Sequence, residues 1–113
     1  MKTAEVTLSE PITTHDGPCS KVVLRSPKYG DVFALGEPQA YAVDPNSGLL
    51  FTSNRDDVIR QYVQRCVIEP KNPDLLEQCN LADSLAIREA ILGFFEAARA
   101  ERSTNTPTSQ SSD

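Results

Sequence analysis

The chain has 113 residues, and its sixteen Asp and Glu against eleven Lys and Arg give a formal net charge of −5 at pH 7. This length predicts one domain, and basic residues scattered without any run argue against a nucleic-acid partner. The first residues are polar and no apolar run approaches the roughly 20 residues that cross a bilayer, so we expect a soluble intracellular protein with no membrane partner.

The cysteines predict free thiols. The chain has an odd number of cysteines, namely Cys19, Cys66 and Cys79, and no two of them are spaced as Cys-x-x-Cys. Neither a disulfide framework nor a zinc site is therefore expected, and the thiols suit a reducing cytoplasm. No group of His, Cys and carboxylate residues has metal-ligand spacing, and the glycines are isolated and form no phosphate-binding loop. We expect no metal and no cofactor.

The N-terminal stretch of residues 3–26 predicts a β-hairpin. Both halves alternate apolar and polar side chains, the second half less cleanly. Between them, Asp16-Gly17 is a strong turn signal because glycine accepts a positive φ. Pro11 lacks a backbone N–H, which predicts that the first strand ends early or lies at an edge of the sheet.

A short helix is predicted after this hairpin, over residues 31–35. Pro27 favours an extended residue before it and can itself open a helical turn. The Gly-Glu-Pro sequence at 36–38 ends the helix. Three apolar side chains are expected to cover the hairpin, namely Val32, Phe33 and Leu35.

A second small hairpin is predicted over residues 39–53. Two short apolar runs, at 39–43 and 49–52, flank the sequence Asp-Pro-Asn-Ser-Gly at 44–48. These residue types are typical of a turn, and a loose loop is the alternative.

Residues 55–67 predict a helix with one apolar stripe of about three turns. The stripe consists of Val58, Ile59, Tyr62, Val63, Cys66 and Val67. Either Ser53 or Asn54 is expected to cap this helix, and Pro70 to end it.

Two more helices complete the predicted domain. A short one over 74–79 has Asn72 as its cap and Pro73 in its first turn, and a long one over 82–102 has Asn80 as its cap. The elements together predict an α+β domain over residues 1–102, in which one or two N-terminal hairpins precede a small bundle of two to four helices. Residues 103–113 contain no large apolar residue and are expected to form a disordered polar tail.

The long helix carries two neighbouring apolar rows. The rows are Leu81, Leu85, Leu92 and Phe95, and Ile87, Ile91, Phe94 and Ala98. Spacings of three, four and seven place both rows on one broad side of the helix. Such a helix is not stable alone in water, so its apolar side must be covered by the rest of the chain, by a partner, or by both. In the last case one row is buried in the domain and the other row is available to the partner.

The single histidine, His15, is followed by Asp16, and the pair raises the question of a catalytic dyad. Neighbours in a turn point in different directions, and the sequence places no serine or cysteine nucleophile beside them. We interpret His15 as a surface residue of the turn and expect no catalytic residues and no enzymatic activity.

Three segments together resemble a known family. They are Val-Thr-Leu-Ser-Glu-Pro-Ile at 6–12, Val-Leu-Arg-Ser-Pro-Lys-Tyr-Gly-Asp at 23–31, and a helix from Leu81-Ala-Asp that ends in Gly93-Phe-Phe. Their order and spacing resemble the tail assembly chaperone family of Mu-like and related tailed phages and prophages. The likeness covers residues 6 to about 98, with residues 38–53 as an insertion relative to the family pattern.

The resemblance implies a client protein. Such chaperones coat the long, apolar, helical tape-measure protein and keep it soluble in the host bacterial cytoplasm until the tail tube polymerises around it. By the motif match, Pro27, Gly30 and Asp31 fix the corner between hairpin and helix. Contacts with the client or with a second copy are expected from Leu85, Ile91, Leu92, Phe94 and Phe95.

Two other classes of function stay open at this point. One is a small structural component of the virion, in the tail or at the head–tail joint, which would assemble with copies of itself. The other is an adaptor module that binds a host protein.

Overall fold

The fold is given by a computed structural model that describes residues 2–111, with side chains as far as residue 102. The elements in chain order are β1 (Thr3–Thr14), β2 (Gly17–Arg25), α1 (Tyr29–Leu35), β3 (Gln39–Val43), β4 (Leu50–Asn54), α2 (Asp56–Cys66), β5 (Val67–Glu69), a 3₁₀ helix (Pro73–Gln78) and α3 (Leu81–Ser111). The predicted α+β class is confirmed, with an N-terminal hairpin, a second small hairpin and then helices. The polar tail predicted at 103–113 has its side chains outside the described residues and stays a prediction.

Strands β1, β2 and β5 form an antiparallel sheet with β2 in the centre. The β1–β2 ladder is regular as far as Thr7, shifts register, and resumes at Ile12. More residues of β1 than of β2 lie between these two positions, so part of β1 leaves the ladder. Pro11 lies in this irregular stretch of an edge strand. The edge position predicted from Pro11 is therefore confirmed, although the strand continues to Thr14.

A carboxylate from α3 satisfies the part of β1 that leaves the ladder. The Asp83 oxygens accept hydrogen bonds from the backbone N–H of Ser9 at 3.0 Å, the Ser9 hydroxyl at 3.1 Å and the backbone N–H of Glu10 at 3.4 Å. The Ser9 N–H contributes most to lowering the pKa of Asp83 below its usual value. Asn80 caps α3 as predicted, since its side-chain oxygen accepts the Asp83 N–H at 2.8 Å.

The hydrophobic core lies between the sheet and the helices α2 and α3. Its buried members are Val6, Leu8, Ile12, Cys19, Val22, Leu24, Val58, Ile59, Tyr62, Cys66, Ile87, Ile91 and Leu92. The stripe predicted on α2 supplies four of them. The buried Tyr62 hydroxyl donates to the carbonyl oxygen of Gly36 at 2.5 Å, so this polar group has a partner inside the core.

Asp31 is a buried carboxylate at the start of α1, where its side chain is only 7% exposed. It accepts from Arg25 Nη1 at 2.8 Å, from Arg65 Nη1 at 3.2 Å and from the Lys28 backbone N–H at 2.9 Å. The Arg25 guanidinium is the largest cause that holds the pKa of Asp31 well below its usual range. One side chain thus joins β2, the first turn of α1 and the end of α2.

Of the other two predicted corner residues, neither shows a comparable contact. Gly30 lies in the first turn of α1, its φ is not positive, and a Cβ there would meet no atom within 4 Å. Pro27 is half-buried between β2 and α1. The corner therefore depends on the carboxylate of Asp31 rather than on a steric need for glycine.

Helix α1 turns a different side to the core from the one predicted. Leu35 packs against the core, but Phe33 is 75% exposed and does not cover the hairpin. The reason is helical geometry, because Asp31 and Leu35 are four residues apart and share the inward side, while Phe33 lies between them on the opposite side.

Two boundaries of α2 also differ from the prediction. The N-cap position is Arg55, whereas Ser53 and Asn54 belong to β4, where Asn54 Oδ1 accepts from Gln39 Nε2 at 3.1 Å. At the other end, α2 stops at Cys66 and residues Val67–Glu69 pair with β2 as β5. The prediction of helix at Val67 was wrong because β2 offers this segment a strand partner.

We expect Asp31→Asn to lower the free energy of unfolding by about 2 kcal/mol, since hydrogen bonds to a charged group contribute roughly 1.5–3 kcal/mol. Folding lowers the pKa of Asp31. The contribution of its carboxylate to the free energy of unfolding is therefore complete above the unfolded-state pKa of about 3.9, and it is lost as the pH falls through the folded-state pKa. Urea unfolding from pH 7 to pH 3 should therefore show the gap between wild type and variant narrowing towards low pH.

Asp16→Asn is the matched control, because Asp16 is exposed in the β1–β2 turn and its carboxylate makes no hydrogen bond or ion pair among the described residues. It should change stability by no more than about 0.5 kcal/mol. Equal losses for the two variants would contradict a special role for Asp31.

Candidate functional site

A surface groove of about 370 Å³ lies between α2, the 3₁₀ helix and α3. Its volume falls within the range of ligand pockets, about 300–1,000 Å³. The apolar side chains that line it are Ile59, Val63, Leu76, Leu85 and Ile87. The groove is therefore an apolar depression bounded by helices, which we call the α2–α3 groove.

The floor of the α2–α3 groove is continuous with the core. Ile59 and Ile87 are buried core residues, and Val63 and Leu76 are half-buried against them. Leu85 on α3 is 40% exposed, and Leu81, one helical turn earlier, is 75% exposed. The start of α3 therefore carries apolar surface from the core out to solvent.

Charged side chains form the rim of the α2–α3 groove. Arg60 Nη2 is paired with Glu77 Oε2 at 2.7 Å, and Arg88 Nη1 with Asp56 Oδ1 at 3.4 Å. The Arg60–Glu77 pair is largely exposed and contributes little to stability, whereas Arg88 is half-buried, with 34% of its side chain exposed. The Nε of Arg88 is buried and has no hydrogen-bond partner among the described residues.

The five predicted contact residues separate into two groups. Ile91 and Leu92 are buried in the core, and Phe94 and Phe95 are partly buried against it. Phe95 packs edge-on against Tyr62, with ring centroids 5.3 Å apart. Of the five, Leu85 alone lines the groove. Ile91 and Leu92 stabilise the chain's own core, so in this fold they are not accessible to a partner.

Among the described residues, seven other large apolar side chains on α1 and in the second hairpin are exposed, and the sequence did not predict their exposure. Tyr29 and Phe33 lie on the outer side of α1 with ring centroids 4.5 Å apart. Five more lie in the second hairpin, namely Tyr41, Val43, Leu49, Leu50 and Phe51. The apolar run at 49–51 indicated an apolar surface on this hairpin. The sequence of a short hairpin does not show whether the rest of the domain covers either of its faces.

The surroundings of His15 contain no catalytic arrangement among the described residues. A hollow of about 710 Å³ beside the β1–β2 turn is lined by His15, Asp16, Cys19 and Ser20, among others. Within residues 2–102 no hydrogen bond joins His15 to any of these three, and Cys19 Sγ donates to the Lys21 carbonyl at 3.1 Å. His15 is exposed in the turn, as expected.

The remaining thiols are not activated. Burial is the largest cause that raises the pKa of Cys66 and that of Cys79, which lines the α2–α3 groove. A raised pKa lowers the thiolate fraction at neutral pH, and the thiolate is the nucleophile. In the part of the chain that the structure describes, no three His, Cys, Asp or Glu residues are grouped so that they could hold a metal ion.

Comparisons with known proteins return no match by sequence or by structure. No family model, no curated protein and no solved structure matches the chain. Among the described helices, none combines the length and the hydropathy needed to cross a membrane.

The difference in burial between Ile91 and Leu85 on α3 predicts a measurable difference in stability. We expect Ile91→Ala to lower the free energy of unfolding by about 3 kcal/mol, because it leaves a cavity in the core. Leu85→Ala should cost less than about 1 kcal/mol, since this side chain is partly solvated already. Urea unfolding followed by far-UV circular dichroism compares the two. Equal losses would mean that Leu85 is part of the core and would remove the groove as an accessible site.

Proposed function

We propose that this protein is a phage tail assembly chaperone that binds the tape-measure protein and keeps it soluble during tail assembly. The observation that carries the proposal is the α2–α3 groove, an apolar depression between helices whose lining includes the exposed side chain of Leu85. It agrees with the resemblance of residues 6 to about 98 to that chaperone family.

The groove suits a helical client. Amphipathic helices bind apolar grooves through side chains three and four residues apart, which insert between flanking helices. Here Ile59 and Leu76 provide the floor, and Leu85 gives an apolar wall that is already partly solvated. A client helix would cover the wall and remove apolar area from water on both sides.

The rim favours a client that carries polar groups beside its apolar stripe. Arg88 Nη1 lies 3.4 Å from Asp56 Oδ1, and the Arg88 side chain is 34% exposed. A carboxylate or carbonyl oxygen on the client would gain a charge-assisted hydrogen bond from a terminal NH2 group of this guanidinium. On another part of the rim, Arg60 and Glu77 present one positive and one negative charge. A client helix that carries charges of both signs can be accommodated there.

Solubility of the complex follows from charge. An exposed apolar stripe on a long helical protein leads to aggregation. Each bound copy of this chain adds a formal charge of −5, and copies of like charge keep a coated client dispersed. Several copies on one long client also need only modest affinity each, because binding to a repeated site is multivalent.

A structural component of the virion is the second candidate, and the uncovered second hairpin is the observation that favours it. A component of that kind stays in the finished particle, whereas an assembly chaperone is absent from it. Mass spectrometry of purified particles distinguishes the two. An adaptor for a host protein would be unaffected by the presence of the tape-measure protein.

The proposal is tested by co-expressing the tagged chain with the long helical protein encoded beside it. We expect the long protein to be soluble only in the presence of this chain and to co-elute with it. Leu85→Asp should lower the amount recovered about tenfold, because burial of one leucine contributes roughly 1.5–3 kcal/mol and tenfold corresponds to about 1.4 kcal/mol.

Ile68→Asp is the matched control, since Ile68 is an aliphatic side chain of similar exposure, 44%, that lies on β5 outside the groove. It should leave recovery of the long protein unchanged. If the long protein stays insoluble with the wild-type chain, the proposed function is wrong. If Ile68→Asp and Leu85→Asp reduce recovery equally, the α2–α3 groove is not the binding site.

A further inference from the structure

The hairpin of β3 and β4 is uncovered in this structure. Its five large apolar side chains, Tyr41, Val43, Leu49, Leu50 and Phe51, are between 46% and 63% exposed. No residue of β3 or β4 belongs to the hydrophobic core or to the partly buried shell around it. Arg99 of α3 lies over the Tyr41 ring, with its guanidinium carbon 5.7 Å from the centroid. The hairpin is therefore an apolar appendage with little support from the domain.

Both faces of the hairpin are apolar towards its turn. Directly paired residues share a face, so Val43 and Leu50 lie together on one side, and Phe51 lies with Ala42 on the other. A hairpin of two strands is at best marginally stable alone in water, and three or more strands with an apolar face are needed. Stability of this hairpin calls for added strands.

The strand edges are open to such an addition. The backbone hydrogen bonds from Asp44 N–H to the Leu49 oxygen at 2.9 Å and from Arg55 N–H to the Pro38 oxygen at 2.8 Å fix which residues pair within the hairpin. By the alternation of an antiparallel ladder, the N–H and C=O groups of Leu50 and Thr52 point away from β3. Among the described residues neither strand has a third strand beside it.

The usual devices that block edge pairing are missing. Natural edges carry a lysine, a proline, a bulge or an inward charge. Here the register is continuous from Gln39↔Asn54 to Val43↔Leu50, and neither strand contains a charged residue or a proline. The only charge between residues 38 and 54 is Asp44 in the turn.

We propose that β4 pairs antiparallel with β4 of a second copy of this chain, which gives a four-stranded sheet across a two-fold axis. The charge distribution permits a second copy as the occupant. Two chains of formal charge −5 repel each other over most of their surface, but the two uncharged strands add no repulsion at this edge. A second copy also brings an identical free edge, as a two-fold interface requires. This inference does not depend on the proposed function.

The available area is consistent with a dimer in exchange with monomer. The large side chains on the β4 side, Leu49, Leu50 and Phe51, are each more than half exposed and present on the order of 300 Å² per chain before the strand backbone is counted, against about 800 Å² per partner in a standard interface. A contact of this size holds at micromolar concentrations or above and dissociates on dilution.

Thr52→Pro tests the pairing directly. Proline removes the Thr52 N–H, which points out of the hairpin, and leaves the hydrogen bonds between β3 and β4 in place. We expect sedimentation over a concentration series to show the wild-type chain approaching twice the 12.4 kDa mass of the monomer. The variant should dissociate at concentrations at least tenfold higher than wild type. Thr52→Ser, which keeps the N–H, should dimerise like wild type.

A second variant covers the case in which the proline disturbs the hairpin itself. Phe51→Lys places a positive charge on each copy beside the axis and should also give monomers, while Phe33→Lys, on α1 and similarly apolar and exposed, should not. At concentrations where the wild-type chain is monomeric, the hairpin variants should melt at the same temperature as wild type, because no residue of β3 or β4 belongs to the core. A wild-type chain that is monomeric throughout, or a Thr52→Pro chain that dimerises like wild type, overturns the proposal.

Discussion

The buried carboxylate of Asp31 is the constraint on which the arrangement of the chain depends. The end of β2, the start of α1 and the end of α2 share this single group, through Arg25, the Lys28 N–H and Arg65. Burying a charge is costly unless it is paired and hydrogen-bonded, so the three contacts only stabilise the fold together. Arg25 also donates to the Arg65 carbonyl at 3.1 Å, which closes the network across the helix end.

A second carboxylate, that of Asp83, also accepts several hydrogen bonds, from the irregular part of β1. Asp83 supplies the acceptors that β1 loses where its register shifts, and it does so from the first turn of α3, where negative charge is favourable. The irregular strand and the helix start are thus a single unit. The floor of the α2–α3 groove is held from both directions, because Asp31 fixes the end of α2 and Asp83 fixes the start of α3.

The sequence predicted features that depend on one helix or one turn. It predicted less well the burial and secondary structure of residues that depend on contacts between distant segments. The four buried positions of the α2 stripe, the cap at Asn80 and the turn at Gly17 are local, and each was predicted correctly. Val67 and Phe33 were predicted wrongly, because the strand partner of Val67 and the inward place taken by Asp31 are set by tertiary contacts. For the site, the rows on α3 gave Leu85, but only the packing of α2 could show that Ile91 and Leu92 lie in the core.

The two surfaces on which the proposals rest do not overlap. No residue of β3 or β4 lines the α2–α3 groove, and none of the groove residues belongs to the hairpin. The groove is built on elements fixed by buried carboxylates, so its shape is set before any partner binds. The hairpin has no such support, and its backbone edges are complete only when another strand is added. Under the two proposals, the chain binds a helix in the groove and joins a neighbouring copy through the hairpin. Two copies joined in this way would bring two grooves to one long client.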